Sequence, residues 1–223
     1  MKFLTASPVG KKVLMAVTGQ LMIVFIIIHM LGNSTIYFGG LNSYADKLHS
    51  LPLLVWMTRI VMFMALSIHI FFAITLTLEN RKARPDAYAV NRNLKATFAS
   101  KNMIWTGLVL GAFLMYHLLH FTFQTINPTR SASMNADALG RPDVAAMVIS
   151  GFQAFSSSCV YMTAIAALAL HLLHGIQSSF QTLGLNNDRT LPAIAKAGSV
   201  TAIVLFLGYI SIPVIILLGI MKG

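Results

Sequence analysis

The chain has 223 residues, of which 57% are hydrophobic and only 10% are charged, and its mean hydropathy is +0.74. A soluble domain typically carries about 25% charged residues, so the composition excludes an ordinary soluble domain. It predicts one integral membrane bundle, all-α, over residues 1–223. The net charge of +10 does not indicate nucleic-acid binding, because the basic residues lie between apolar segments rather than on one soluble face. A single cysteine, Cys159, excludes a disulfide framework and a cysteine-based zinc site.

Five apolar segments are long enough to cross a bilayer, which takes about 20 helical residues. The five predicted transmembrane helices cover residues 13–37, 53–78, 103–123, 155–180 and 197–221. The first segment lacks a convincing cleavage site after its apolar run, so we interpret it as helix 1 rather than as a signal peptide.

The basic residues predict the orientation of these helices. With the N-terminus in the cytoplasm, eleven of the 16 basic residues face inward: Lys2, Lys11, Lys12, Arg81, Lys82, Arg84, Arg92, Lys95, Lys101, Arg189 and Lys196. The remaining five face outward: Lys47, Arg59, Arg130, Arg141 and Lys222. The positive-inside rule therefore predicts a cytoplasmic N-terminus and an external C-terminus, in a multi-pass protein of the inner (cytoplasmic) cell membrane.

Four histidines, His29, His69, His117 and His171, lie in four different predicted helices. An ionisable side chain in a membrane span is costly and marks a functional site. At ~1.5 Å per residue, His29 and His117 lie roughly 24 Å and 21 Å from the inner ends of their helices. His69 and His171 lie roughly 24 Å from the outer ends of theirs. The helices thus offer an outer and an inner histidine pair, which is the arrangement that two bis-histidine haems need.

Small residues accompany these histidines. Thr18-Gly19 precedes His29 and Thr106-Gly107 precedes His117, with each glycine ten residues before the histidine. A glycine leaves room for a flat macrocycle, so we place Gly19 and Gly107 near the haems. Close packing of membrane helices is the alternative role for such glycines.

Three further histidines have open roles. His120 and His174 each follow a proposed ligand by three residues, on nearly the same helix face, so either could ligate instead or bond a haem propionate. His49 lies with Tyr44 in the first outer loop, where the two residues could form a quinone site; a solvated loop histidine is the alternative. All six acidic residues lie in loops or at helix ends, which argues against a proton pump or cation transporter.

Over nearly its whole length the chain resembles the di-haem cytochrome b membrane anchor of succinate dehydrogenase and fumarate reductase. The residues that carry the resemblance are Gly10-Lys11-Lys12, Thr18-Gly19, His29-Met30-Leu31-Gly32, Leu78-Glu79-Asn80-Arg81, Tyr116-His117-Leu118-Leu119-His120-Phe121 and the stretch 171–184. The resemblance implies two b haems, with His69 and His171 on the inner one and His29 and His117 on the outer one. One departure concerns Ala169, where some di-haem fumarate reductases carry a membrane glutamate.

The resemblance also implies partners. A flavoprotein that handles succinate or fumarate and an iron–sulfur protein would dock on the cytoplasmic side, and a membrane quinone, expected to be menaquinone, would exchange electrons with the haems. The chain would then be the non-catalytic subunit of a succinate:quinone oxidoreductase, possible also as a higher oligomer, and Arg81, Lys82 and Arg84 would help to dock the iron–sulfur subunit. The alternatives are the haem anchor of a formate dehydrogenase or hydrogenase, and a histidine-lined metal transporter.

Overall fold

The computed structural model describes residues 7–83 and 97–221. This part of the chain is helical apart from turns, loops and one isolated β-bridge between Ala136 and Pro142. Five residues of the charge count lie outside the described residues, including Arg84 of the predicted docking segment: Lys2, Arg84, Arg92, Lys95 and Lys222.

Five of the described helices are long and apolar enough to cross a membrane, which confirms the predicted all-α class and the five predicted spans. They are α1 (Pro8–Ser34), α2 (Pro52–Lys82), α3 (Met103–His117, continued by a π-helical turn over Leu118–Thr122), α4 (Phe155–Thr182) and α5 (Leu191–Leu217).

The helix starts explain where the structure departs from the predicted bounds. Helix α1 begins at Pro8, because the Ser7 hydroxyl accepts a hydrogen bond from the Gly10 amide at 3.0 Å and proline suits the first helical position. Helix α5 also has a proline in its first turn and begins at Leu191, before the predicted residue 197. Hydropathy alone therefore missed the first residues of both helices.

Helix α4 is the centre of the bundle and packs against α1, α3 and α5, whereas α2 packs mainly against α1. The contact between α4 and α5 depends on Gly198, where a Cβ atom would lie 3.1 Å from Cγ2 of Ile176. Around it, Leu172, Ala202 and Leu205 form a buried apolar cluster. Close approach through small residues is the usual way for membrane helices to pack, because lipid tails supply no hydrophobic drive.

An ion pair joins the start of α1 to the end of α2. Lys11, whose side chain is 11% exposed, bonds Glu79, whose side chain is 46% exposed. The pair places these two helix ends at the same end of the bundle, which we call the Lys11 end.

The opposite end of the bundle is closed by the segment after α3. A short apolar helix, Val144–Gln153, begins where the Asp143 side chain accepts from the Ala146 amide at 2.9 Å, and it buries most of one face against α4 and α5. Asn42, on the helix Leu41–His49, accepts from the Ala145 amide at 2.8 Å and donates to Asp143 at 3.0 Å. These bonds tie together the two connections at the end opposite the Lys11 end.

Candidate functional site

The four membrane histidines form two pairs in the structure. The ring centroids of His29 and His117 lie 6.0 Å apart with planes at 86°, and those of His69 and His171 lie 6.5 Å apart with planes at 58°. Each pair joins two helices that run in the same direction, and these are the partners that the depth argument predicts.

The two pairs lie at different levels along the bundle. His69 contacts the Thr18-Gly19 turn of α1, where a Cβ atom at Gly19 would lie 3.4 Å from the His69 ring. His29 lies ten residues after Gly19 on the same helix. At ~1.5 Å per residue the levels are therefore about 15 Å apart, half of a hydrocarbon core of about 30 Å.

The same relation holds on the other side of the bundle. A Cβ atom at Gly107 of α3 would lie 3.7 Å from the His171 ring, and His117 follows ten residues later. Each Thr-Gly motif thus lies against a histidine of the inner pair on a neighbouring helix, and not against the histidine of its own helix.

Hydrogen bonds define the tautomer of His69 and His171, the pair nearer the Lys11 end. Nδ1 of His69 lies 3.0 Å from the Met15 carbonyl, which only accepts, so Nδ1 carries the proton. Nδ1 of His171 lies 3.0 Å from the Thr106 hydroxyl, whose own proton points to carbonyls one turn back on α3 at 3.0 and 3.1 Å. Thr106 therefore accepts from His171. Both rings keep an unprotonated Nε2, which is the nitrogen that a metal ion would bind.

The His29–His117 pair, further from the Lys11 end, lies among aromatic rings. His29 stacks on Phe25 at 5.5 Å and contacts Tyr209 at 6.3 Å. Nδ1 of His117 lies 3.1 Å from the Tyr161 hydroxyl on α4. The Tyr161 hydroxyl thus contacts the His117 ring, which is the partner of His29.

His120 lies beside this pair but outside it. The π-helical turn that follows His117 buries the His120 ring, which stacks on Phe121 at 4.1 Å. Within the described residues, the ring contacts of His29 include His117 and do not include His120. The geometry therefore favours His117 over His120 as the partner of His29.

The other candidate residues lie further from the pairs. His174 is half-buried on α4, one turn beyond His171. Tyr44 packs against Gly32 of α1, where a Cβ atom would lie 2.6 Å from its ring, so it lies next to the helix turn that follows His29. His49 is exposed, and its Nδ1 bonds the Ala45 carbonyl of its own helix at 2.9 Å. The structure brings Tyr44, but not His49, against the bundle.

Sequence reasoning missed two groups that touch the histidines, the Met15 carbonyl and Tyr161. A backbone carbonyl leaves no sequence signal. Tyr161 does leave one, since it is a polar hydroxyl in an apolar span ten residues before His171, the same offset that separates each glycine from its histidine. Buried tyrosine hydroxyls usually find a hydrogen-bond partner.

Each pair offers two imidazoles and no carboxylate. Over residues 7–83 and 97–221, no group of three or more histidine, cysteine, aspartate or glutamate side chains converges. No family model matches the chain, nor does any curated protein or solved structure.

Proposed function

We propose that this chain is a di-haem cytochrome b, with His69 and His171 as axial ligands of an inner haem and His29 and His117 as those of an outer haem. The ring separations carry the proposal. A metal ion lies about 2.0 Å from an imidazole nitrogen, so two imidazoles on opposite sides of one ion have centroids about 6.3 Å apart. The observed 6.0 and 6.5 Å bracket that value.

The donor set supports haem over a bare metal ion. A structural or catalytic zinc site needs three or four protein ligands. A porphyrin supplies four nitrogens itself, so a haem iron needs only two ligands from the protein. Pairs of imidazoles about 15 Å apart, with no third ligand among the described residues, suit two separate haems better than the continuous path of a metal transporter.

The helix packing does not join the helices of either histidine pair extensively. The main contacts in the described bundle join α1 to α2, α1 to α4, α3 to α4 and α4 to α5. Neither α1 with α3 nor α2 with α4 is among these main contacts, so the histidine rings, rather than closely packed backbones, link the helices of each pair. Met15 and Thr106 orient the inner imidazoles, and Tyr161 orients one outer imidazole.

The haems, when bound, would each take up and release single electrons. Two haems about 15 Å apart along the bundle would then carry electrons between the two sides of the membrane. By its resemblance, the chain would serve as the non-catalytic anchor of a succinate dehydrogenase or fumarate reductase, between an iron–sulfur subunit and a quinone. Succinate and fumarate would react on the partner flavoprotein.

The distribution of charge supports a cytoplasmic site for those partners. The Lys11 end of the described bundle carries seven basic residues, Lys11, Lys12, Arg81, Lys82, Lys101, Arg189 and Lys196. The opposite end carries four, Lys47, Arg59, Arg130 and Arg141. By the positive-inside rule, this asymmetry supports a cytoplasmic position for the Lys11 end, and with it the inner pair, in the proposed inner-membrane protein.

Four single substitutions to alanine test the pairing. His69→Ala and His171→Ala should each remove the inner haem, and His29→Ala and His117→Ala should each remove the outer one, because one lost axial ligand abolishes bis-histidine ligation. Redox titration of each purified variant resolves the two components. The exposed His49 provides the matched control, and His49→Ala should keep both.

The proposed pairing is refuted if the His29→Ala and His69→Ala variants lose the same redox component. The choice of ligand on α3 is refuted if His120→Ala loses a haem while His117→Ala keeps both.

A further inference from the structure

A single hydroxyl group links two neighbouring histidines at the outer level. The Tyr161 hydroxyl lies 3.1 Å from Nδ1 of His117 and 3.3 Å from Nδ1 of His120. The Tyr161 ring is 5% exposed and is held by perpendicular contacts with Phe113 at 4.9 Å and Phe152 at 4.8 Å. The aromatic contacts fix the position of the hydroxyl oxygen, so its proton decides how the two histidines are protonated.

The proton count allows few arrangements. A phenol has one proton to donate and can accept, while a neutral imidazole carries one N–H and one bare nitrogen. If Tyr161 donates to His117, the His117 proton sits on Nε2 and blocks metal binding there. If Tyr161 donates to His120, it accepts from Nδ1–H of His117, and Nε2 of His117 is bare.

We propose that Tyr161 is a positioning residue that donates its proton to His120 and thereby holds His117 in the tautomer that can ligate the outer iron. This inference rests on the proposed function. His120 then has a role of its own, since it accepts the Tyr161 proton and ligates nothing. The π-helical turn over Leu118–Thr122 brings both Nδ1 atoms to one oxygen.

The surroundings of His120 agree with this arrangement. With Nδ1 accepting, the His120 proton is on Nε2 and needs an acceptor. His120 lines a cavity of about 10 Å³ together with Gln124, Arg130 and Ser150. A polar cavity of this size holds about one water molecule, which can accept from Nε2–H.

The inner pair has a separate hydrogen-bond acceptor for each histidine. Its two Nδ1–H groups point to the Met15 carbonyl and to the Thr106 hydroxyl. Neither acceptor is shared with another histidine. A change at Tyr161 should therefore act on the outer haem alone, which gives every experiment an internal reference.

The test is Tyr161→Phe in the purified, haem-loaded protein, with Tyr116→Phe as the matched control. Tyr116 belongs to the same aromatic cluster, but its hydroxyl pairs with Ser157 at 3.1 Å rather than with a histidine. Transfer of haem to excess apomyoglobin measures retention of each haem, and redox titration measures each midpoint potential.

We expect Tyr161→Phe to weaken retention of the outer haem by about 10- to 100-fold, which is the usual effect of losing the hydrogen-bond partner of a ligating histidine. The outer potential should rise, because a less basic imidazole stabilises ferric iron less; a tenfold selective loss of ferric affinity corresponds to about 59 mV. The inner haem should not change. The inference is overturned if Tyr161→Phe behaves like Tyr116→Phe, or if both haems weaken together.

A second variant, His120→Phe, tests the direction of the hydrogen bonds even if Tyr161→Phe fails to assemble. Without its acceptor, Tyr161 can turn its proton to His117 and favour the wrong tautomer, so the outer haem should again be held more weakly. Unchanged outer-haem retention in His120→Phe would overturn the inference. A wild-type protein without two haems would instead refute the proposed function itself.

Discussion

The two Thr-Gly motifs allow a matched pair of substitutions with unequal expected effects. Thr18 and Thr106 each donate to carbonyls three and four residues back, and each lies near Nδ1 of an inner histidine. Thr106 is the acceptor for His171 at 3.0 Å, whereas Thr18 lies 3.4 Å from His69, whose proton goes to the Met15 carbonyl at 3.0 Å. Valine keeps the threonine shape and removes the oxygen.

Thr106→Val should leave the His171 N–H without its acceptor. An unsatisfied buried donor costs about 1–3 kcal/mol, and about 1.4 kcal/mol corresponds to a tenfold change. At about 1–3 kcal/mol, the inner haem should therefore be held about 5- to 140-fold more weakly. This range agrees with the loss of about 10- to 100-fold that is typical when a ligating histidine loses its hydrogen-bond partner. Thr18→Val should change retention by less than about threefold, because the backbone acceptor of His69 remains.

Haem transfer to apomyoglobin, followed separately for the inner and outer component, measures this difference. The outer haem of the same molecule serves as the reference for general loss of structure. Equal weakening in the Thr18→Val and Thr106→Val variants would show that the hydrogen bond to His171 does not hold the inner haem.

Three other changes test the fold and the partner surface. Lys11→Met breaks the half-buried ion pair with Glu79 of α2 and should lower the free energy of unfolding by about 1–3 kcal/mol, between the values for exposed and buried pairs. Lys12→Met, at an exposed neighbour, should cost less than about 0.5 kcal/mol in thermal unfolding. The Arg141 guanidinium hydrogen-bonds Asp137 and lowers the pKa of that carboxyl to about 2. The loop after α3 should therefore keep the Asp137–Arg141 pair above the ordinary carboxyl pKa and lose it as the pH falls through about 2. Asp137→Asn should show the faster hydrogen exchange of that loop already at neutral pH. Arg81→Glu combined with Lys82→Glu should reduce co-purification of an iron–sulfur partner at moderate salt, with unchanged haem content; full retention would leave both residues as topology signals.

Hydropathy and the constant rise of a helix were enough to predict the five spans and the two histidine pairs. In lipid a spanning segment has to satisfy its own backbone hydrogen bonds, so an apolar stretch of about 20 residues reads directly as a helix. A helix rises by a constant ~1.5 Å per residue, so positions counted from helix ends become depths. That is why the pairing of His29 with His117 and of His69 with His171 could be anticipated from sequence positions alone.

The remainder depends on which helices are neighbours. Spacing along α1 places Thr18-Gly19 at the inner level, but only the packing of α1 on α2 shows that this turn lies against His69. The helix Val144–Gln153 was missed because ten residues are too short to span a bilayer. Tyr161 leaves a signal as a hydroxyl group in an apolar span, but the role proposed for it depends on the direction of one proton between two rings, which residue types do not encode.

The number of haems per chain decides whether this protein is a di-haem cytochrome b. The pyridine haemochrome assay on the purified, fully loaded protein gives moles of haem b per mole of chain. We expect two haems per chain, one for each histidine pair. A ratio near one would leave one pair without its haem, and a ratio near zero would contradict the assignment of this chain as a cytochrome b.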